Sequence, residues 1–365
     1  MKTDGFTDVM GELTMSRRLG FIEQGVDVNN IMRSIGANFE YFSLLGQMPW
    51  LDNMLGKNPI YIKYFRKQVS SPILQFAQQL LQERLQQLDS GEKQEKDNAV
   101  NKPDFLARFL QAKNQVSGSD EEVAPMTDSL LLSLMFGNIN AGADTIATTL
   151  RAVFHYLLTH PKAMVMLKEE LRAAHESGSM TMPCPTWHET QSEHLTYTRC
   201  VIKEAIRLWP ALSLSLERKV VVPAGLLLHS DGGDRILLPR GTIVGINPYV
   251  LHRDPRIFDP NFASDPSKSN VEDFDPARWL PSASSLENSR GNTDAQLKVM
   301  DHDILTFSAG KRTCLGKNIA MMEMLKVVPA LVMKFPDMQL VDASRWKVRN
   351  AWVLAQTGLD VKLNP

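Results

Sequence analysis

The chain has 365 residues, of which 43% are hydrophobic and 22% charged, so it can bury the core of an ordinary globular protein. Its net charge of −1 does not suggest a nucleic-acid-binding protein. Three cysteines without a C-x-x-C pair, and eight histidines without a metal-ligand spacing, indicate neither a disulfide framework nor a zinc site. A reducing compartment fits this cysteine usage best.

The first third of the chain is predicted to be helical. Apolar residues at helical spacing predict helices in four regions: residues 6–18, 27–45, 59 onward with a restart at Pro72, and 105–112. The helix after Pro72 has one predicted buried face, formed by Ile73, Phe76, Ala77, Leu80, Leu81, Leu85 and Leu88. Residues 90–102 and 117–125 are polar and are predicted to be solvated connections.

A long helix is predicted over residues 127–159. Its middle, residues 138–145, contains small and polar residues, which cost helix stability and are uncommon in a helix that crosses a core. One interpretation is tight packing against a neighbouring element through Gly142. The other is a helix distorted beside a ligand, with Asp144 and Thr145 handling protons. Both interpretations stay open at this point.

The second half of the chain combines helices with short strands. Helices are predicted over residues 161–177 and 192–209, and strands, hairpins and turns over 214–222, 226–238, 242–246, 249–254, 338–341 and 359–363. Within the second of these helices, Glu204 and Arg207 are three residues apart. They therefore lie on one helical face and form at least a surface ion pair.

A cysteine between two glycines precedes the last predicted helix, residues 319–335, in a pattern of five residues: Phe307, Gly310, Arg312, Cys314 and Gly316. The glycines permit left-handed or crowded backbone, so that amide N–H groups can point at the sulfur. This pattern favours a thiolate that binds a metal. The ordinary alternative is a buried structural cysteine in a glycine-rich turn.

These patterns resemble the cytochrome P-450 family, the haem-thiolate monooxygenases. The cysteine pattern resembles the family's ligand loop, and residues 141–145 resemble its oxygen-activation segment, Ala-Gly-x-Asp-Thr. Glu204 and Arg207 match its E-x-x-R motif, and residues 276–279 its Pro-x-Arg-Trp segment. The four motifs stand in the family's order. Residues 11–14 and 46–51 look like the fungal microsomal branch related to pisatin demethylase and benzoate hydroxylase.

The resemblance implies a mainly α fold with a small β portion, in a single haem-thiolate domain over residues 1–365. It also implies that a complete member carries roughly a quarter to a third more chain before this one. We therefore expect an N-terminally truncated cytochrome P-450 fold, without its N-terminal helices and most of the larger sheet. We expect such a chain to bind haem poorly.

The resemblance assigns roles residue by residue. Cys314 is implied as the axial ligand of the iron of haem b, and the implied haem-binding residues are Arg312, Arg218, Phe307, Gly310, Gly316 and Ala141. Asp144 and Thr145 are implied to deliver protons during oxygen activation. A buried network with a structural role is implied for Glu204, Arg207 and Arg278. Residues 252–255 match a segment near the propionate edge, and residues 352–357 a substrate-lining loop. The hypothetical pocket positions are Asn138, Ala141, Leu212, Leu214 and Leu354.

The implied reaction inserts one oxygen atom of O2 into an apolar small molecule. The chain has no flavin or nicotinamide fingerprint, so electrons are expected from NADPH through a separate flavoprotein reductase. Lys311, Lys317 and Lys326 form a candidate docking patch, or merely a solvated face. The family is expected at the cytosolic face of the endoplasmic reticulum. This chain starts without an apolar anchor and is itself expected to be soluble and intracellular.

Two other functions fit the same residues. The first is a haem-thiolate isomerase or dehydratase, which needs no external electrons. The second is a non-catalytic remnant that holds no stable haem.

Overall fold

A computed structural model describes residues 4–46, 48–54, 57–64, 72–89, 103–117, 126–229, 232–259, 262, 267, 269–281 and 292–363. The predicted connections 90–102 and 117–125 lie outside these ranges, apart from Ser117, which ends a helix. The helices are α1 (Asp4–Met15), α2 (Phe21–Gln24), α3 (Ile31–Leu45), α4 (Pro49–Met54), α5 (Pro59–Tyr64), α6 (Pro72–Asp89), α7 (Phe105–Ser117), α8 (Asp128–Thr159), α9 (Pro161–Glu176), α10 (Trp187–Thr190), α11 (Thr196–Leu208), α12 (Pro248–Leu251), α13 (Pro255–Phe258), α14 (Asp294–Asp303) and α15 (Lys317–Lys334).

The strands are short and pair into two-stranded sheets. They are β1 (Arg218–Lys219), β2 (Leu226–His229), β3 (Arg235–Leu238), β4 (Ile243–Val244), β5 (Gln339–Leu340), β6 (Lys347–Ala351), β7 (Val353–Thr357) and β8 (Val361–Lys362). The pairs are β1 with β4, β2 with β3, β5 with β8, and β6 with β7. The mainly α fold with a small β portion is therefore confirmed.

The chain divides into two compact units. The first comprises residues 1–148 and 351–353, and the second residues 149–350 and 354–365. The first unit is built around the apolar faces of α3, α6, α7 and the first half of α8, with the chain around α2. On α6 the predicted face is confirmed for six of its seven residues: Ile73, Ala77, Leu80 and Leu81 are buried, and Phe76 and Leu85 pack against them. The side chain of the seventh, Leu88, lies outside the described part of the chain.

Two buried aspartates fix helix starts in the first unit. Asp8 in α1 accepts hydrogen bonds from the amides of Gly20 and Ile22, both 2.7 Å long, and so holds the start of α2. Asp104 accepts from the Ala107 amide at 2.7 Å and pairs with Arg84 at 3.0 Å. These carboxylates satisfy amide groups that a helix N-terminus leaves without partners.

Gly142 in α8 allows close packing within the first unit. A Cβ at this position would lie 2.5 Å from the sulfur of Met10 in α1, and Met10 is only 5% exposed. The small residue at position 142 therefore allows tight packing against a neighbouring helix, which is the first of the two interpretations given above.

In the second unit, α9, α11 and α15 pack against one another. Glu170 of α9 accepts hydrogen bonds from the amides of Tyr197 and Thr198 and from the Thr198 hydroxyl. It thereby caps the start of α11, the helix that carries Glu204. Burial of the Glu170 carboxyl raises its pKa, and the bonds from Thr198 and Tyr197 oppose that rise.

The hairpin of β2 and β3 pairs Leu227 with Leu237 and Leu228 with Ile236. Five of its six large apolar side chains are 41% to 58% exposed, and the sixth, that of Leu238, is half-buried. Of the strand predicted over residues 214–222, only the two residues of β1 form a strand. Residues 353–357 form strand β7, paired with β6, so the predicted loop at 352–357 is wrong for these residues.

The described residues include no helix with the length and the apolar run needed to cross a bilayer.

Candidate functional site

Residues 307–316, called the cysteine loop below, fold back on themselves before α15. The amide of Cys314 donates to the carbonyl oxygen of Phe307 at 2.8 Å, and the Thr313 hydroxyl donates to the same oxygen at 3.3 Å. The Thr313 amide also donates to the carbonyl of Gly310 at 3.1 Å. The loop therefore holds its cysteine through hydrogen bonds that are local in sequence.

Two glycines shape the cysteine loop. Gly310 has φ of +65°, a conformation that disfavours any side chain, although among the described residues no heavy atom lies within 4 Å of its Cβ position. A Cβ at Gly316 would lie 3.7 Å from the Sγ of Cys314. The sulfur therefore lies beside the N-terminus of α15, where the helix dipole favours negative charge.

Cys314 is exposed, which argues against a buried structural cysteine at this position. The next side chain, Leu315, is 98% exposed, and Phe307 is half-buried with Lys317 Nζ 5.9 Å from its ring centroid. The cysteine loop thus presents a sulfur and an apolar side chain at one accessible surface.

The two arginines expected to bind propionates are both exposed and both belong to the second unit. Arg312 ends a 3-10 turn inside the cysteine loop. Arg218 lies in β1 and donates to the carbonyls of Leu216 at 2.9 Å and Glu217 at 2.8 Å. Guanidinium groups in these places suit the bidentate pairing that carboxylates favour.

Glu204, Arg207 and Arg278 lie together in the interior of the second unit. The Glu204 carboxylate accepts from Arg207 Nη2 at 2.7 Å, Arg207 Nε at 2.8 Å, Arg278 Nε at 3.2 Å and Trp279 Nε1 at 2.9 Å. Glu204 and Arg207 are fully buried, and Arg278 is 2% exposed. Burial alone would raise the pKa of Glu204, but the two guanidinium groups lower this pKa to about 2. The carboxylate is therefore charged.

His252 and Thr306 connect this network to the segment that leads into the cysteine loop. His252 Nδ1 lies 3.0 Å from the carbonyl oxygen of Arg207, and Nε2 accepts from the Leu305 amide at 2.8 Å. The Thr306 hydroxyl donates to the carbonyl of Ile206 at 2.7 Å. Sequence reasoning placed His252 only within a segment near the propionates. These contacts join residues 53 and 100 positions apart, which no local pattern indicates.

Ala141, Asp144 and Thr145 lie in the first unit, in the middle of α8. The helix is continuous there, so the distortion weighed in the second interpretation is not seen. The Thr145 hydroxyl donates to the carbonyl of Ala141 at 2.8 Å, and the Asn140 amide group bonds back to the carbonyl of Phe136 in the same way. Polar side chains in this stretch therefore bond to the helix itself, which stays regular. Ala141 is exposed, and Asp144 and Thr145 are half-buried.

The hypothetical pocket positions have different surroundings. Leu354 is 4% exposed and packs in a core cluster with Ala152 and Trp209 of the second unit. Asn138, Leu212 and Leu214 are half-buried. Two open grooves lie in the second unit, and none of these positions lines either of them. The first, of about 580 Å³, lies beside Ile246, Val250 and Phe262, and the second, of about 560 Å³, lies between Phe262 and Val299.

The donors of the cysteine loop fit the haem that the sequence leads us to expect. An exposed cysteine sulfur is a suitable iron ligand, and the apolar surface at Leu315 suits a porphyrin. Arg312 lies two residues from Cys314, and its exposed guanidinium suits a propionate.

Comparison with known proteins finds relatives along most of the chain. A family model described as Cytochrome P450 matches residues 3–355. The chain is 37% identical to a cytochrome P450 monooxygenase of Aspergillus terreus over 335 residues, which cover 92% of this chain and 60% of that protein. It is 33% identical to the cytochrome P450 monooxygenase cicH of Emericella nidulans, over 98% of this chain and 63% of that protein.

A third relative, the cytochrome P450 monooxygenase mpaDE of Penicillium roqueforti, is 35% identical over 96% of this chain and 36% of its own length. The chain thus spans between about a third and two thirds of the length of these relatives. With a family model over nearly all of its residues and these fungal relatives, the chain belongs to the cytochrome P450 family.

Proposed function

We propose that the protein is a haem-dependent monooxygenase that inserts one oxygen atom of O2 into an apolar small molecule. The observation that carries this proposal is the exposed Cys314, held in a self-closed loop at the start of α15. The relatives are fungal proteins named as cytochrome P450 monooxygenases. Fungal secondary metabolism, or oxidation of xenobiotic aromatic compounds, is the setting that we propose.

Bound haem b would supply the iron that activates oxygen. Cys314 would hold that iron through its sulfur, and Phe307 would cover the sulfur. Arg312 and Arg218 would pair with the propionates. Ala141, in the first unit, has an exposed face that would suit a porphyrin. Gly310 keeps the backbone of the cysteine loop in its left-handed turn, so the sulfur stays accessible.

Asp144 and Thr145 move protons in this proposal. Asp144 takes protons from solvent, and the Thr145 hydroxyl passes them on toward the reacting oxygen. The bond from Thr145 to the Ala141 carbonyl fixes the hydroxyl in one orientation. This bond has to exchange when the hydroxyl donates elsewhere.

Electrons come from NADPH through a separate flavoprotein reductase. Lys311 and Lys317 are exposed beside Cys314, whereas Lys326 is half-buried on α15. The first two therefore form the stronger part of a basic docking patch.

Haem reconstitution tests the proposal. The 365-residue chain is mixed with haem, reduced and exposed to CO, together with the variants Cys314→Ser and Cys184→Ser. Because the chain is expected to bind haem poorly, we expect incomplete uptake by the parent. The haem that the parent and Cys184→Ser do take up is expected to give the long-wavelength Soret band of a thiolate-ligated ferrous carbonyl, and Cys314→Ser is expected to lose this band. The same band in Cys314→Ser, or no haem uptake by the parent, overturns the proposal. Product formation without any reductant instead favours an isomerase or dehydratase.

A further inference from the structure

His252 lies at the centre of a continuous path of hydrogen bonds in the second unit. The ring is fully buried and contacts α11 on one side and the chain before the cysteine loop on the other. The Leu305 amide is a donor, so Nε2 of His252 must be the unprotonated nitrogen. Nδ1 then carries the proton and donates to the carbonyl of Arg207. The two contacts therefore specify one neutral tautomer.

The same segment has a second attachment to α11. Thr306 donates to the carbonyl of Ile206, and His252 donates to the next carbonyl, that of Arg207. These carbonyls belong to the last turn of α11, where a helix leaves its acceptors without intrahelical partners. The end of α11 is thus capped by the residues that lead to Cys314.

The buried ion-pair network also contacts His252. Arg207 Nη1 donates to the carbonyl of His252 at 2.8 Å while its Nε and Nη2 bind Glu204. Beyond His252, the path continues into the cysteine loop. The Ser308 amide donates to the carbonyl of Leu305 at 2.9 Å, and the Cys314 amide donates to that of Phe307.

We propose that His252 is a positioning residue for the cysteine loop. Its ring holds the backbone at Leu305 in a fixed position relative to α11, and so places the sulfur of Cys314. This inference rests on the proposed ligation of haem by Cys314. The role is distinct from that of the Glu204 network. The network holds elements together, whereas the His252 ring fixes one backbone amide of the ligand segment.

Two substitutions of similar size separate positioning from plain structural support. In His252→Gln the side-chain amide reaches the place of Nε2 and can still accept from Leu305. In His252→Asn it reaches the place of Nδ1 and keeps only the bond to Arg207. Each variant loses one buried hydrogen bond, so a merely structural role costs both the same stability.

The first measurement needs no cofactor. Amide hydrogen exchange of residues 305–316 in the haem-free chain is compared among the parent, both variants and His194→Asn, a change at an exposed histidine. We expect exchange in this stretch to be faster in His252→Asn and near the parent rate in His252→Gln. Equal rates in the two His252 variants overturn the inference, whether or not the chain binds haem.

The second measurement uses the reconstituted protein. We expect haem affinity about tenfold weaker in His252→Asn than in His252→Gln, with a larger fraction of the CO complex lacking the thiolate-type band. If His252→Asn does not fold, Thr306→Val removes the other attachment and is expected to speed exchange in the same stretch. Unchanged exchange in Thr306→Val then overturns the inference. A parent without the thiolate-type band defeats the proposed function, while the exchange comparison still decides the role of His252.

Discussion

Two glutamates of the second unit are buried but differ in their partners. Glu204 has no exposed surface and accepts bonds from two arginines, a tryptophan and a backbone amide. Glu323 of α15 is 8% exposed, and among the described residues neither of its oxygens has a hydrogen-bond partner. The arginines lower the pKa of Glu204 to about 2 against the effect of burial, whereas burial raises that of Glu323 to about 7. The surroundings of Glu204 therefore stabilise the charged carboxylate, whereas those of Glu323 stabilise the protonated carboxyl group.

Substitution of Glu204 by Gln is expected to destabilise the chain by about 3–5 kcal/mol, because two buried guanidinium groups lose their counter-ion. Urea denaturation at pH 7 measures this. The matched control is Glu272→Gln, since Glu272 pairs with Arg253 at 2.9 Å but its side chain is 69% exposed. The control is expected to change stability by less than about 1 kcal/mol.

The stabilisation from Glu204 also depends on pH. Its folded pKa lies below the ordinary value of 4.5, so the stabilisation is present above pH 4.5 and is lost as the pH falls toward about 2. The difference in stability between the parent and Glu204→Gln is expected to shrink between pH 5 and pH 3. A constant difference contradicts the charged state assigned to Glu204.

Glu323 is expected to behave in the opposite way. Its folded pKa lies above its unfolded pKa, so the folded state loses stability as the pH rises from about 4.5 through about 7. Relative to the parent, Glu323→Gln should gain about 2 kcal/mol between pH 5 and pH 8. Denaturation curves at both pH values measure this gain. Glu176→Gln, on the exposed surface of α9, serves as the control and should show no such gain.

Substitution of Thr145 is expected to change the activity. Replacement by Ala removes the hydroxyl that we propose as the proton relay, so the product formed per NADPH is expected to fall at least about tenfold. Thr145→Ser keeps a hydroxyl and is expected to retain most of the coupling. The measurement compares NADPH consumption, product and hydrogen peroxide with any apolar compound that the parent oxidises. Parental coupling in Thr145→Ala contradicts the relay role.

At the scale of the element, α8 contains two glycines with opposite surroundings. Gly142 packs against Met10, whereas among the described residues no heavy atom lies within 4 Å of the Cβ position of Gly137. Both are interior helix positions, where Gly is less stable than Ala by about 1 kcal/mol. The two positions differ in their packing, so replacing each glycine by Ala measures the effect of the contact between Gly142 and Met10.

Gly137→Ala is expected to stabilise the chain by about 1 kcal/mol, and Gly142→Ala to destabilise it by roughly 1–2 kcal/mol through overpacking. In a Met10→Ala background, Gly142→Ala should become stabilising. Unfolding free energies of the single and double variants give the coupling between the two positions. A destabilisation by Gly142→Ala that persists in this background rules out Met10 as its cause.

An element can be predicted from sequence when the residues that determine it lie close together in the chain. The long apolar periodicity of α6 and α8 predicts those helices and the buried face of α6. Strand β6, with the residues Lys347, Val348, Arg349, Asn350 and Ala351, shows no such pattern, and its pairing with β7 is set by tertiary structure. The same limit applies to the candidate site. The pattern around Cys314 lies within ten residues and indicates a ligand loop, whereas the attachment of Leu305 to His252 spans 53 positions.

At the scale of the whole molecule, family membership extends over nearly the entire chain, because the family model matches residues 3–355. The relatives are longer, and this chain spans 60% to 63% of two of them. Membership therefore supports the haem and the class of reaction. The substrate depends on pocket walls that this family membership does not specify.

The hairpin of β2 and β3 exposes apolar side chains to solvent. Successive side chains of a strand point to opposite faces, so Leu226, Leu227 and Leu228 make both faces of this hairpin apolar. Exposed strands of this kind promote aggregation between copies. We expect the chain to form high-mass species in light scattering as its concentration rises.

The double variant Leu227→Lys, Leu237→Glu tests this expectation. It places opposite charges on directly paired positions and should keep the hairpin while lowering the aggregated fraction. Val165→Glu changes a single exposed apolar residue of α9 and should have little effect. Equal aggregation in the double variant and the parent contradicts this role of the hairpin. Poor recovery of the chain during purification would then originate elsewhere, whereas reduced aggregation makes the double variant the better material for haem reconstitution.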